Sequence, residues 1–188
     1  MIGIDDKEFQ RGEIPMTKQE VRILTLAKAR IESDSVIVDV GAGTGSITVE
    51  AARLAFNGKV FAIEKNEDAV DLIECNLEKF RIKNVEIICA EAPECLKNLP
   101  ELDAAIIGGS GGKLEKILDK LNTKLKIGGR IVINAITIQT AAAAIAYFRA
   151  NKMNYEAFQV QITRLKKVRA YDMSQVLNPV WIITAEKD

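Results

Sequence analysis

The run Val36-Ile-Val-Asp-Val-Gly-Ala-Gly-Thr-Gly45 passes from a short, mostly β-branched apolar segment into three glycines within five positions. Such a segment suits a parallel strand covered on both faces. Gly41, Gly43 and Gly45 then let the backbone bend sharply and approach a ligand with no Cβ in the way. Ile47, Val49, Ala51, Ala52, Leu54 and Ala55 follow with the character of a helix packed on a sheet. The turn therefore lies at a helix N-terminus, where free N–H groups favour an anion. This is a nucleotide-type site on an α/β fold. The dinucleotide fingerprint wants Gly or Ala five positions after its first glycine, and Ser46 stands there. No Gly-Lys-Ser/Thr ending follows, which excludes a P-loop.

Working outward, Val60-Phe-Ala-Ile-Glu64 is a second strand ending in an acid nineteen residues beyond Gly45. A carboxylate there can accept both hydroxyls of a ribose; alternatively it is an exposed charge beside Lys65. A helix from about Asn66 to Arg81 carries Ala69, Ile73, Leu77 and Phe80 on one face, and the strands Val85 to Cys89, Leu102 to Ile107 and Arg130 to Ile136 come after it. Leu114, Ile117, Leu118 and Leu121 mark another helix between the last two. This alternation predicts a mostly parallel sheet built from right-handed crossovers. Gly108-Gly-Ser-Gly-Gly112 sits at the strand edge where such sheets bind ligands. It reads either as a flexible turn or as bare backbone for a large flat substrate. Asn134, polar in an apolar strand, needs a partner from neighbouring backbone or from substrate.

At the N-terminus, Asp5 to Met16 is polar and broken by Gly12 and Pro15, as a loop draped over the sheet would be. Thr17-Lys-Gln-Glu20 fits a capping box opening a helix with Val21, Leu24 and Ala27 as its stripe. At the other end, an alanine-rich helix from Gln139 to Ala150 precedes two strand-like runs, Tyr155 to Thr163 and Val180 to Ala185, which predict an antiparallel pair at a sheet edge. Their long connection holds Arg164, Lys166, Lys167 and Arg169, either a solvated tip or a clamp for a polyanion.

The 188 residues are enough for one well-cored domain, with residues 1–16 as a loop or lid and 17–188 as the core. Twenty-six acidic and 26 basic residues balance, so no basic field recruits nucleic acid or a membrane surface. Cys75, Cys89 and Cys95 are odd in number and lack Cys-x-x-Cys spacing. They read as small core residues in a reducing cytoplasm, with no structural zinc. The chain shows neither a signal peptide nor an apolar run long enough to span a bilayer, so a cytoplasmic protein is expected. It contains no histidine, which removes the usual neutral-pH general base and the commonest metal ligand.

The Asp-x-Gly-x-Gly-x-Gly pattern from Asp39 resembles the first motif of Rossmann-like S-adenosylmethionine-dependent methyltransferases. A more specific resemblance covers nearly the whole chain. Phe9-Gln-Arg-Gly12, Pro15-Met-Thr-Lys18, Val38 to Ser46, Ile107 to Gly112, Gly128 to Ala135 and Asn178-Pro-Val180 together resemble the decarboxylating carbon-15 methyltransferases of cobalt-precorrin-6B in cobalamin biosynthesis. The resemblance implies a doubly wound seven-stranded sheet, mostly parallel, with an antiparallel C-terminal hairpin strand. It implies S-adenosylmethionine as methyl donor, a polycarboxylate tetrapyrrole as acceptor, and a homotetramer. Carried onto this sequence, the cofactor site comprises Thr17, Gly41, Ala42, Gly43, Thr44, Gly45, Glu64, Glu91 and Ala92, although Glu91 also reads as a solvated loop charge. Chemistry alone makes Arg11, Gly109, Ser110, Gly111, Asn134, Arg164 and Arg169 candidates for the substrate. No residue is singled out for decarboxylation. The competing expectations are an RNA methyltransferase and a non-catalytic subunit that binds S-adenosylmethionine.

Overall fold

The computed structural model describes residues 2–188. The chain alternates as expected: α1 (Gln19–Ala29), β1 (Val36–Val40), α2 (Ser46–Leu54), β2 (Lys59–Glu64), α3 (Glu67–Lys79), β3 (Val85–Cys89), β4 (Leu102–Ile107), α4 (Leu114–Lys124), β5 (Leu125–Ala135), α5 (Ile138–Ala150), β6 (Asn154–Val160), β7 (Thr163–Val168), β8 (Tyr171–Val176) and β9 (Val180–Glu186). Seven strands form one sheet in the order β3-β2-β1-β4-β5-β9-β6, and β7 and β8 form a separate two-stranded ribbon. The strands from β3 across to β5 pair in parallel, whereas β9 runs antiparallel to both β5 and β6.

Side chains of successive strand residues point to opposite faces, and the core divides accordingly. Val38, Phe61, Ala105 and Ile133 pack with Leu118 of α4 and Phe148 of α5. Ile37, Val60, Ile106 and Val132 pack on the other face with Leu26 of α1 and Ala51 of α2. Strand order reverses between β1 and β4, the crevice where doubly wound sheets bind ligands.

Local chemistry fixes the helix ends. Asn66 caps α3 by accepting from the N–H groups of Asp68 and Ala69, and Thr137 caps α5 by accepting from Thr140. The expected capping box at Thr17 does not form: Lys18 occupies the N-cap with no side-chain bond. The Glu20 carboxylate instead takes two bonds from Arg164, at 2.9 and 2.5 Å. A bidentate charge-assisted pair outweighs one bond to a backbone N–H.

Three further expectations are corrected. The run from Tyr155 breaks after Val160, and the long connection forms a two-stranded ribbon of its own, β7–β8. The fifth strand begins at Leu125, ahead of the Gly128-Gly129 pair. Cys75 and Cys89 are exposed, not core residues, because Cys75 lies off the apolar stripe of α3 and Cys89 ends β3, an edge strand.

Candidate active site

The turn after β1 and the acid after β2 form one hydrogen-bonded unit. Gly41, Gly43 and Gly45 have φ of 72°, 56° and 73°, in the left-handed region that glycine tolerates without strain. A Cβ on Gly41 would stand 2.7 Å from the backbone nitrogen of Gly109, so the turn also packs directly on the loop after β4. The N–H groups of Gly41 and Ala42 donate to Ile63 O at 2.9 and 3.1 Å. Glu64 Oε2 accepts from Gly43 N at 2.9 Å, and Oε1 accepts from Lys65 N and Asn66 N at 2.8 and 3.0 Å. The carboxylate thus braces the glycine turn against the start of α3.

Beneath the turn, Asp39 is buried and accepts from the Thr48 hydroxyl at 2.6 Å. Burial, with the nearby Glu64 charge adding to it, pushes its carboxyl up to about 6.

A cavity of about 370 Å³ opens above this unit. Gly41, Gly43, Glu64, Glu91 and Ala92 line it, as do Gly109, Ser110 and Gly111, which sequence reading assigned to substrate. The glycine cluster after β4 therefore walls the same cavity as the first turn. Glu91 bridges Lys113 at 2.6 Å and Lys65 at 3.0 Å. These two ammonium groups, Lys113 foremost, hold its carboxyl below the usual range. Ala42, Thr44 and Gly45 shape the turn from behind and do not line the cavity.

A second cavity, of about 500 Å³, lies beyond Gly108. Thr17 lines this one rather than the first, just ahead of α1 and two residues after Pro15, whose carbonyl lies beside Gly43 of the turn. Asn134 lines it too. Its Oδ1 lies 3.0 Å from the Thr25 hydroxyl and its amide nitrogen is buried with no partner among the described residues, so its bond is to a side chain and not to backbone.

The basic residues proposed for substrate are placed elsewhere. Arg164 is held by Glu20 and, at 3.2 Å, by Asp6, and these carboxylates raise its pKa further. Arg169 sits at the tip of the β7–β8 ribbon with φ of 56°, and Arg11 is exposed in the N-terminal loop; neither lines either cavity.

The N-terminal loop expected over the sheet walls both cavities, and what sequence reading missed is how this strap is anchored. Ile14 and Pro15 wall the first, and Pro15 also walls the second. Arg22, fully buried, holds this strap: its Nε donates to Glu50 Oε1 at 2.6 Å, Nη1 to Thr17 O at 2.6 Å and Asp6 Oδ1 at 3.2 Å, and Nη2 to Ile4 O. Glu50 accepts in turn from Gly3 N and Ile4 N. The one signal in the sequence was a charged residue within the turn of helix that also carries Val21 and Leu24.

The sheet order, the single antiparallel strand beside β5 and the acid-braced glycine turn define a Rossmann-like methyltransferase. The precorrin methyltransferase domain family matches residues 8–187, and the chain belongs to that family. It is 46% identical over 191 residues, covering 98% of this chain and 97% of the relative, to a protein of Sulfurisphaera tokodaii named as a probable cobalt-precorrin-6B C(15)-methyltransferase (decarboxylating). Two crystal structures are similar throughout. That of a precorrin-6y C5,15-methyltransferase from Geobacter metallireducens has a TM-score of 0.94 at 44% identity, covering 99% of this chain and 98% of that one. That of a precorrin 8w decarboxylase from Methanobacterium thermoautotrophicum has a TM-score of 0.93 at 36% identity, covering 97% and 98%.

Proposed function

We propose that this protein transfers a methyl group from S-adenosylmethionine to carbon-15 of cobalt-precorrin-6B, or of its cobalt-free counterpart, with loss of carbon dioxide from the ring C acetate. The observation that carries this reading is the glycine turn braced by Glu64 at the floor of the first cavity, in a chain of the precorrin methyltransferase family.

The residues fit an adenosyl group. The first cavity falls within the usual range for small-molecule sites, about 300–1,000 Å³. Each oxygen of Glu64 bonds backbone N–H groups, and a carboxylate has about four acceptor positions, so Glu64 can also accept ribose hydroxyls. Gly41 and Gly43 leave backbone exposed to the cavity, and Ala92 is a small apolar contact on its far wall. Ala42, Thr44 and Gly45 hold the turn's shape from behind.

S-adenosylmethionine supplies a methyl group already activated on a sulfonium, so transfer is an in-line displacement that positioning can promote without a metal. The acceptor carbon donates the electron pair of the new C–C bond, and sulfur keeps the pair of the broken one. In decarboxylation the bond from the acetate methylene to the carboxylate breaks, carbon dioxide leaves, and the conjugated macrocycle takes up the electron pair until a proton replaces the lost group. Ile14 and Pro15 of the strap form part of the walls within which these steps would run. We further propose a single domain with residues 1–16 as lid, a cytoplasmic location and a homotetramer. The exposed apolar residues of the β7–β8 ribbon, Leu165 and Tyr171 among them, support the assembly.

The test is calorimetry with S-adenosylhomocysteine, then incubation with methyl-labelled S-adenosylmethionine and a corrin-precursor mixture, read by mass. Binding at about micromolar Kd, on the order of −7 to −8 kcal/mol, and a product with one added methyl and one lost carbon dioxide are expected. Absence of both, or methylation of bulk tRNA instead, overturns the reading.

A further inference from the structure

Several residues of the stretches that carry the family resemblance do not line the first cavity. Met16-Thr-Lys18, Gly108, Asn134, Asn178 and Val180 are distant in sequence, yet all line the second. Its other walls are apolar, among them Ile136, Val160 and Leu177. Gly108 lies on this cavity and Gly109 on the first, so the two meet across one peptide unit.

Within this largely apolar enclosure one cation is without an acidic partner. Lys18 has no carboxylate within 4 Å among the described residues, although ion pairs occupy its neighbours: Arg22 with Asp6 and Glu50, and Arg164 with Asp6 and Glu20. A side-chain ammonium among apolar walls matches an apolar ring that bears a carboxylate. It does not match a second nucleotide, since nothing here braces a glycine turn.

We propose that the second cavity receives the methyl acceptor and that Lys18 is the specificity-determining cation that holds one of its carboxylates. The proposal rests on the function proposed above. Lys18 replaces the cations of the β7–β8 ribbon as the point of charge recognition: Arg164 is already paired, and Arg169 is remote from both cavities. The overall charge of zero is then no obstacle, because one local cation at the right place is worth more than a diffuse field.

The experiment compares the wild-type chain with Lys18→Met and Lys18→Arg. Methionine retains the stem and removes the charge, and Lys18 makes no capping bond to α1, so the fold is preserved; circular dichroism checks this. S-adenosylhomocysteine affinity is measured by calorimetry, and KM for cobalt-precorrin-6B is measured with methyl-labelled S-adenosylmethionine at several salt concentrations. Lys18→Met should raise KM about tenfold or more, flatten its salt dependence and leave S-adenosylhomocysteine affinity within about twofold, with Lys18→Arg restoring most of the loss. Cofactor binding and turnover intact in all three, with KM and its salt slope unchanged in Lys18→Met, would overturn the role of Lys18 while leaving the methyltransferase reading in place. A wild-type chain that neither binds S-adenosylhomocysteine nor transfers methyl would overturn both.

Discussion

Asp39 is a residue whose burial raises its carboxyl well above the usual carboxylate range. Its carboxyl titrates near 6 in the fold and at 3.8 unperturbed, so between those values the native state holds a proton that the unfolded chain has released. Its favourable contribution is complete below about pH 4 and lost as pH rises through 6. Asp39→Asn, permanently neutral and of the same shape, should be more stable than wild type by on the order of 2–3 kcal/mol at pH 8 and no more stable near pH 4. Urea unfolding at several pH values measures this; parallel curves for the two proteins would contradict it. Glu64 acts on both structure and binding. Glu64→Ala leaves the N–H groups of Gly43, Lys65 and Asn66 without their acceptor. It should therefore weaken S-adenosylhomocysteine by about 1.5–3 kcal/mol and lower the unfolding midpoint as well. A binding loss below a few tenths, read by calorimetry, would remove its ribose role.

Among the elements, the parallel strands and α2 to α4 were legible because each obeys its own period and its own punctuation. Val36 to Gly45 announces strand, turn and helix N-terminus within ten residues. The N-terminal strap was legible as a loop over the sheet but its anchoring was not, since what holds it is a set of bonds between residues far apart, from Arg22 to Ile4, Asp6, Thr17 and Glu50. Glu20 shows why: the local pattern offered it a cap, and a guanidinium 144 residues away won. Asn134 was noticed as misplaced, yet only the fold shows that its partner is Thr25 and which cavity it lines. Arg22 and Glu50 form a fully buried pair, so removing one partner strands a charge in the core. Arg22→Met should cost about 3–5 kcal/mol of stability in denaturant unfolding and loosen the strap, which limited proteolysis of residues 3–17 would reveal. A loss under about 1 kcal/mol would show that the pair is solvated in the working protein.

For the whole molecule, the ribbon stands apart from the sheet it interrupts. Leu165 and Tyr171 are 74% and 75% exposed, with Met173 and Val176 also open, on a two-stranded unit that has no sheet of its own to cover it. Isolated hairpins are marginal in water, and exposed apolar strands invite pairing with other chains. Light scattering should give a mass near four times the 20.7 kDa chain, and Leu165→Lys combined with Tyr171→Lys should lower it. A wild-type monomer would refute the tetramer.

The strap has a thermodynamic consequence as well. Pro15 faces both cavities, and Arg22 ties its segment to the core as one piece. A ligand that settles the strap on one side therefore alters the wall of the other. Linkage makes that effect reciprocal: the factor by which a ligand in one cavity changes the affinity of the other must equal the factor in the opposite direction. On the proposed function, one shared proline thereby couples the donor's site to the acceptor's.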